Sequence, residues 1–296
     1  DLAVSAPGAT PSVCAASLHT SCLFIVFFGQ SRLEGLHVNE SSPALTHYTG
    51  PASPFTAALN TTTPLHIGVA LAPIGDRNGD RVPDVLIGAP MTSALAPYTG
   101  RVLLAFIGLD GLATGARVLS PPVGSGVVDA SDAWSFGQSV AALPPAATGS
   151  AAAHCFTLAV ALRDGNRGNV LTVELDEHNA VVPATWQAPD TPDSAPRGQN
   201  SRYPTSGLSL VATGSDPALL LGAPDAGSDI NREEHGAILL LNTTGRAPGE
   251  SRSPALTFHG DSPQLGAGVT GDRRRFGAAV AVLRSPELAQ PAIAVG

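Results

Sequence analysis

The sequence predicts an all-β fold, a β-propeller of four-stranded antiparallel sheets, on three observations. First, charged residues are only 14% of the 296, while 32 glycines and 26 prolines punctuate the chain. Many short strands between Gly- and Pro-rich turns give that composition in sandwiches, barrels and propellers. Second, an apolar strand closing on small residues recurs along the chain, so the fold is built of repeats. Third, the best copy of that strand is fed by a loop carrying oxygen-bearing side chains at its first, third, fifth and ninth positions. The length suffices for a large core, as one all-β domain or two smaller ones.

The recurring strand is Asp84–Pro90 (DVLIGAP), with copies at Asp1–Pro7, Ala218–Pro224 and Ala292–Gly296 and a degenerate one at Thr157–Arg163. The copies start at 1, 84, 157, 218 and 292, at intervals of 83, 73, 61 and 74 residues. A strand opening on Phe-Gly precedes two of the later copies, at Phe136–Leu143 and Phe276–Leu283. Weaker versions stand at His66–Leu71 and Ser206–Ala212. An aliphatic third strand follows at Cys22–Phe28, Arg101–Ile107, Asn169–Leu175 and Ala237–Leu241. The fourth is expected at Ala44–Tyr48, Ala116–Leu119, Val181–Trp186 and Ala255–His259.

Four strands per unit match one propeller blade. The units are then a partial blade at 1–65, blades at 66–135, 136–205 and 206–275, and a partial blade at 276–296. Stacked blades cover both faces of each sheet, which suits the Val/Ala/Leu/Ile runs. The glycine of Phe-Gly permits a close backbone approach where the first strand begins.

The loop is Asp76-Arg77-Asn78-Gly79-Asp80-Arg81-Val82-Pro83-Asp84. Asp76, Asn78, Asp80 and Asp84 occupy positions 1, 3, 5 and 9, and the Val82 carbonyl at position 7 is the natural backbone ligand. Converging hard oxygens suit Ca2+, which takes about six to eight of them. The start resembles an EF-hand, but that motif closes with Glu at position 12 between two helices. Position 12 here is Ile87, inside a strand pattern, so a calcium loop within a β-hairpin is expected instead.

Phe-Gly, then the calcium loop, then Gly-Ala-Pro resembles the FG-GAP repeat of integrin α-subunit propellers and their relatives. The resemblance spans essentially the whole chain, with about four blades represented, and implies part of a seven-bladed ring. It further implies a non-catalytic binding or structural module in cell adhesion or an extracellular assembly, with other proteins as partners and Ca2+ reinforcing one blade. The loop departs from the family at position 6, where Arg81 replaces the usual glycine and must tolerate positive φ. The copy at 136–163 lacks the loop and Gly-Ala-Pro. The copy at 207–224 keeps Gly-Ala-Pro but joins its strands by Thr213–Pro217, too short and too poor in carboxylates for calcium.

Other features fit an extracellular setting. Cys14 and Cys22 can bridge if their Cα atoms come within about 7 Å, while Cys155 has no evident mate. Asn39, Asn60 and Asn242 head N-glycosylation sequons in turn-like segments. Both ends read as mid-domain strand, so a segment of a longer protein is expected. All 16 basic residues are Arg, as in GC-rich coding, and the net charge of −8 argues against nucleic-acid binding. No apolar run reaches the length of a membrane span.

The remaining polar groups have plainer readings. Asp164–Asn169 follows its strand instead of preceding it, and is expected to be a hairpin turn. Asp229, Glu233 and Glu234 in the segment 225–235 form a solvated acidic loop, on the side where integrins meet ligands. His154 and Cys155 are adjacent in a strand and face opposite ways. Trp134 and Trp186 are expected to pack the sheets; stacking on glycans is the alternative. No nucleophile elbow, Walker loop or zinc motif is present, so an associated hydrolase or lyase activity is the lesser alternative.

Overall fold

The computed structural model describes residues 2–7, 21–26, 45–47, 55, 58, 67–90, 100–109, 112–121, 134–143, 156–164, 167–181, 209–212, 218–223, 237–242, 256–259, 277, 279–283 and 292–295. These are overwhelmingly β-strand, and every registered strand pair is antiparallel. The chain is all-β in this sense. It divides into two compact units, Asp1–Pro121 with Trp134–Gly137, and Pro122–Ala133 with Gln138–Gly296.

In the first unit, β1 (Leu2–Pro7), β2 (Ser21–Val26) and β3 (Leu45–His47) form one sheet in chain order. The strands β4 (Ala70–Gly75), β5 (Asp84–Ala89), β6 (Arg101–Ile107) and β7 (Ala113–Leu119) form a second, four-stranded meander. An antiparallel sheet commonly keeps one face in water, but β5 and β6 are buried on both. On one face Ile87, Ala89, Leu103, Ala105 and Ile107 enclose Phe55 and Ile67. On the other, Leu86, Val102 and Leu104 are fully buried. Exposure returns at the two outer strands: Pro73 and Gly75 of β4 and Thr114 and Arg117 of β7 are open, with most of their neighbours half-buried.

The buried second face explains a glycine. A methyl on Gly88 would overlap the carbonyl oxygen of Gly137, and one on Gly100 would overlap that of Phe136. The Phe136-Gly137 dipeptide thus lies against the Gly88-Ala89-Pro90 end of β5 within the first unit, with the Phe136 side chain wholly buried. Gly137 itself has φ 90. The expected close approach is present, and it demands glycine at both partners.

The second unit holds β8 (Trp134–Leu143, from Gln138 onward), β9 (Phe156–Asp164) and β10 (Arg167–Leu175), in the order β10-β9-β8. A second meander follows, of β11 (Ser209–Ala212), β12 (Ala218–Ala223), β13 (Ala237–Asn242) and β14 (Leu256–His259). A pair, β15 (Val280–Leu283) and β16 (Ala292–Val295), closes the set. Leu220 and Ile238 pack on Val280, flanked by Leu240 and Val295, so this meander meets the β15-β16 pair face to face. The glycine contact recurs here, because a methyl on Gly222 would overlap the carbonyl of Gly277.

Expected and observed strands differ chiefly at their starts. The strands expected at His66–Leu71 and Phe276–Leu283 begin only at Ala70 and Val280. Gly68 and Gly277 have φ 89 and 86, a left-handed geometry that breaks the regular ladder just before each strand. The fourth strand of the unit at 136–205 is represented by Val181, which bridges Leu175; Val182–Trp186 lie outside the described residues. Asp164 pairs with Arg167, leaving a two-residue connection, the hairpin expected there. Among the described residues no helix is long and apolar enough to cross a membrane.

Candidate metal centre

The loop between β4 and β5 is shaped by its own side chains. A register shift between Pro73 and Gly75, with Gly75 at φ 70, swings the chain out of the sheet. Asp76 then accepts from two amides: Gly79 N–H at 2.6 Å on Oδ1 and Arg81 N–H at 2.7 Å on Oδ2. Asn78 Oδ1 accepts from Asp80 N–H at 3.0 Å, and Asp80 Oδ1 from Val82 N–H at 2.8 Å. Asn78 Nδ2 donates to Asp80 Oδ2 at 2.9 Å. Such Asx turns give the backbone an alternative to strand pairing. The turns need left-handed residues, supplied by Gly79 at φ 85 and Arg81 at φ 71. The positive φ expected of Arg81 is therefore observed. The Val82 side chain packs on the core cluster and pins the loop's far end.

Asp84 differs in kind from the other three. It is fully buried at the first position of β5. Its Oδ2 accepts from Arg77 N–H at 2.7 Å, within the loop. Its Oδ1 accepts from Ile107 N–H at 2.9 Å, at the end of β6 and 23 residues along the chain. One carboxylate thus joins the loop to the hairpin between β6 and β7.

The charges of the loop respond to these surroundings. Burial pushes the Asp84 carboxyl above the ordinary aspartate value, against the pull of the Ile107 and Arg77 amides, and repulsion from Asp80 and Asp76 adds to the rise. For Asp76 desolvation is the largest single influence and also acts upward. The backbone amides of Arg81, Gly79, Asn78 and Asp80 together outweigh it and hold the carboxyl below its usual range.

The structure therefore brings Asp76, Asn78 and Asp80 into one hydrogen-bonded loop and sets Asp84 beneath it, close enough to feel two of the charges. Among the described residues no three carboxylate, imidazole or thiolate side chains form a metal cluster by themselves. A cation would draw in addition on Asn78 Oδ1 and the Val82 carbonyl. The set fits a hard ion chemically, since every candidate donor is oxygen. Each carboxylate oxygen that accepts one N–H also keeps a second lone pair.

Sequence spacing gave no sign that Asp84 serves Ile107. The available signal was an aspartate opening an otherwise apolar strand that is buried on both faces, where a charge needs donors. Of the other candidates, Asn242 ends β13 opposite Ala218, and Cys22 lies in β2 opposite Ala6. Trp134 opens β8. Cys14, Asn39, Asn60, His154, Cys155, Trp186 and residues 225–235 lie outside the described residues. No protein-family model matches the chain, and no curated protein matches it.

Proposed function

We propose that the chain is a non-catalytic, extracellular binding or structural module: a propeller of FG-GAP type, similar in plan to the integrin α-subunit, that docks other proteins at a cell surface or in an extracellular assembly. Ca2+ enters the 76–84 loop, held by Asp76, Asn78, Asp80 and the Val82 carbonyl, with Asp84 closing the site from beneath. The ion does no chemistry. It replaces repulsion among three acidic side chains by shared attraction and so stiffens the connection between two strands.

The observation that carries this reading is the loop itself. Its three alternate oxygen side chains are pre-folded by their own backbone contacts and anchored on a sheet whose central strands are buried on both faces. The recurring close approach of Phe-Gly and Gly-Ala-Pro glycines supports the repeat architecture.

Thermal unfolding with and without calcium tests the proposal. About 10 mM CaCl2 is roughly ten to a hundred times the dissociation constants of extracellular calcium modules. Preferential binding to the folded state then stabilises by about 1.4–2.7 kcal/mol. Asp80→Ala and Asn78→Ala should abolish most of that gain while changing stability little in EDTA. A melting temperature indifferent to calcium in the unmodified chain would end the metal assignment.

A further inference from the structure

The β6–β7 hairpin turns at Gly108–Leu112, closed by the Gly108 N–H to Leu112 carbonyl bond at 2.8 Å. Its tip presents two leucines, Leu109 at 87% exposure and Leu112 at 44%. The amide of Ile107, where the hairpin leaves the sheet, has the Asp84 carboxylate as acceptor. That same carboxylate holds Arg77 N–H in the acidic loop. A register shift between Phe106 and Ile107 interrupts ordinary β6–β7 pairing at this point.

We infer that Asp84 is a clasp that makes the 76–83 loop and the β6–β7 hairpin one ordering unit, so that order imposed on the loop is imposed on the apolar hairpin tip. The reason is electrostatic. A wholly buried carboxylate persists only while donors meet its oxygens. If the loop opens and Arg77 N–H withdraws, the charge is left with half its compensation, and its favourable course is to move toward water. That movement removes the acceptor from Ile107, and the hairpin loses its tie at the base. The coupling belongs to the protein alone and acts whether or not an ion is bound, so it goes beyond the calcium reading.

Amide-resolved hydrogen exchange in EDTA tests it. Gly79→Ala perturbs the loop alone: an added methyl meets nothing within 4 Å, but φ 85 is unfavourable for alanine. Exchange at Arg77 and Arg81 should accelerate on the order of tenfold. The clasp requires Ile107 to accelerate by a similar factor, with the Asp176–Ala180 turn of the other unit unchanged. Acceleration confined to the loop would overturn the inference. A second arm adds CaCl2 to the unmodified protein: protection that extends from the loop to Ile107 supports the clasp, and loop protection that stops short of it counts against. If calcium protects nothing, the metal assignment fails by itself and the Gly79→Ala result still decides the clasp.

Discussion

Replacing Asp84 separates scaffold from metal site. Asp84→Ala deletes the acceptor of two backbone amides, one of them on Ile107, which is 3% exposed. A buried amide left unpaired costs about 1–3 kcal/mol. The Arg77 amide is in a half-buried position and can reach water, so its loss costs roughly 0.5–1.5 kcal/mol. Removing a charge that burial disfavours returns part of this, and the net loss comes to about 1–4 kcal/mol. Asp84→Asn keeps the shape and one acceptor but turns an amide donor toward the other N–H, for a loss of about 1–2 kcal/mol. Urea unfolding in EDTA, read as midpoint times slope, should rank the unmodified chain above Asp84→Asn and Asp84→Ala last. The losses should persist without calcium, because the two amides are protein groups. An Asp84→Ala variant within about 0.5 kcal/mol of the unmodified chain in EDTA would refute the reasoning.

Three further outcomes follow from the same geometry. Gly88→Ala and Gly222→Ala place a methyl against backbone carbonyls that belong to Gly137 and Gly277, and each should cost at least about 2–3 kcal/mol. Gly75→Ala, with open space but φ 70, should cost only about 1–2 kcal/mol, and equal losses at all three sites would discredit the interlock. Arg81→Gly relieves a non-glycine residue at φ 71, so it should leave stability unchanged or raise it by up to about 1 kcal/mol and tighten calcium binding; isothermal titration showing weaker binding would contradict this. Because the folded carboxyl of Asp84 titrates above 3.8, its contribution is fully present below that value and is lost as pH rises through the folded value. In EDTA the unmodified chain should therefore gain on Asp84→Asn as pH falls across that window, and a gap that narrows instead would reverse the assignment.

The strands were legible because apolar β-branched runs between turn residues survive the tertiary context; Arg101–Ile107 matches to the residue. Starts were less legible where a left-handed glycine intervenes. The strands expected from His66 and Phe276 run regularly only from Ala70 and Val280, past the left-handed Gly68 and Gly277, whereas β8 accommodates Gly137 at φ 90 within its length. Within the loop, spacing located every oxygen-bearing side chain and the strain at Arg81, since Asx turns are local chemistry. Asp84 was read only as a ninth-position ligand. Its bond to Ile107 depends on β6 lying beside β5, and loop spacing holds no trace of that pairing.

The difference between Asp84 and its three neighbours bears on how such a loop can change without loss of its fold. Asp76, Asn78 and Asp80 hold backbone amides of the loop itself, most of them near solvent, so each can be replaced at modest expense once water takes its role. Asp84 holds the sheet end at Ile107, where water does not reach. A unit that lost calcium would shed the first three freely and face a barrier only at the fourth. The segment at 207–224 differs from the 76–84 segment at both places. Its connection is shortened to Thr213–Pro217 and its strand β12 opens with Ala218 in place of aspartate. Its sequence has neither the nine-residue loop nor an aspartate at the first strand position, as expected if that carboxylate is tolerated only while a loop supplies donors to it.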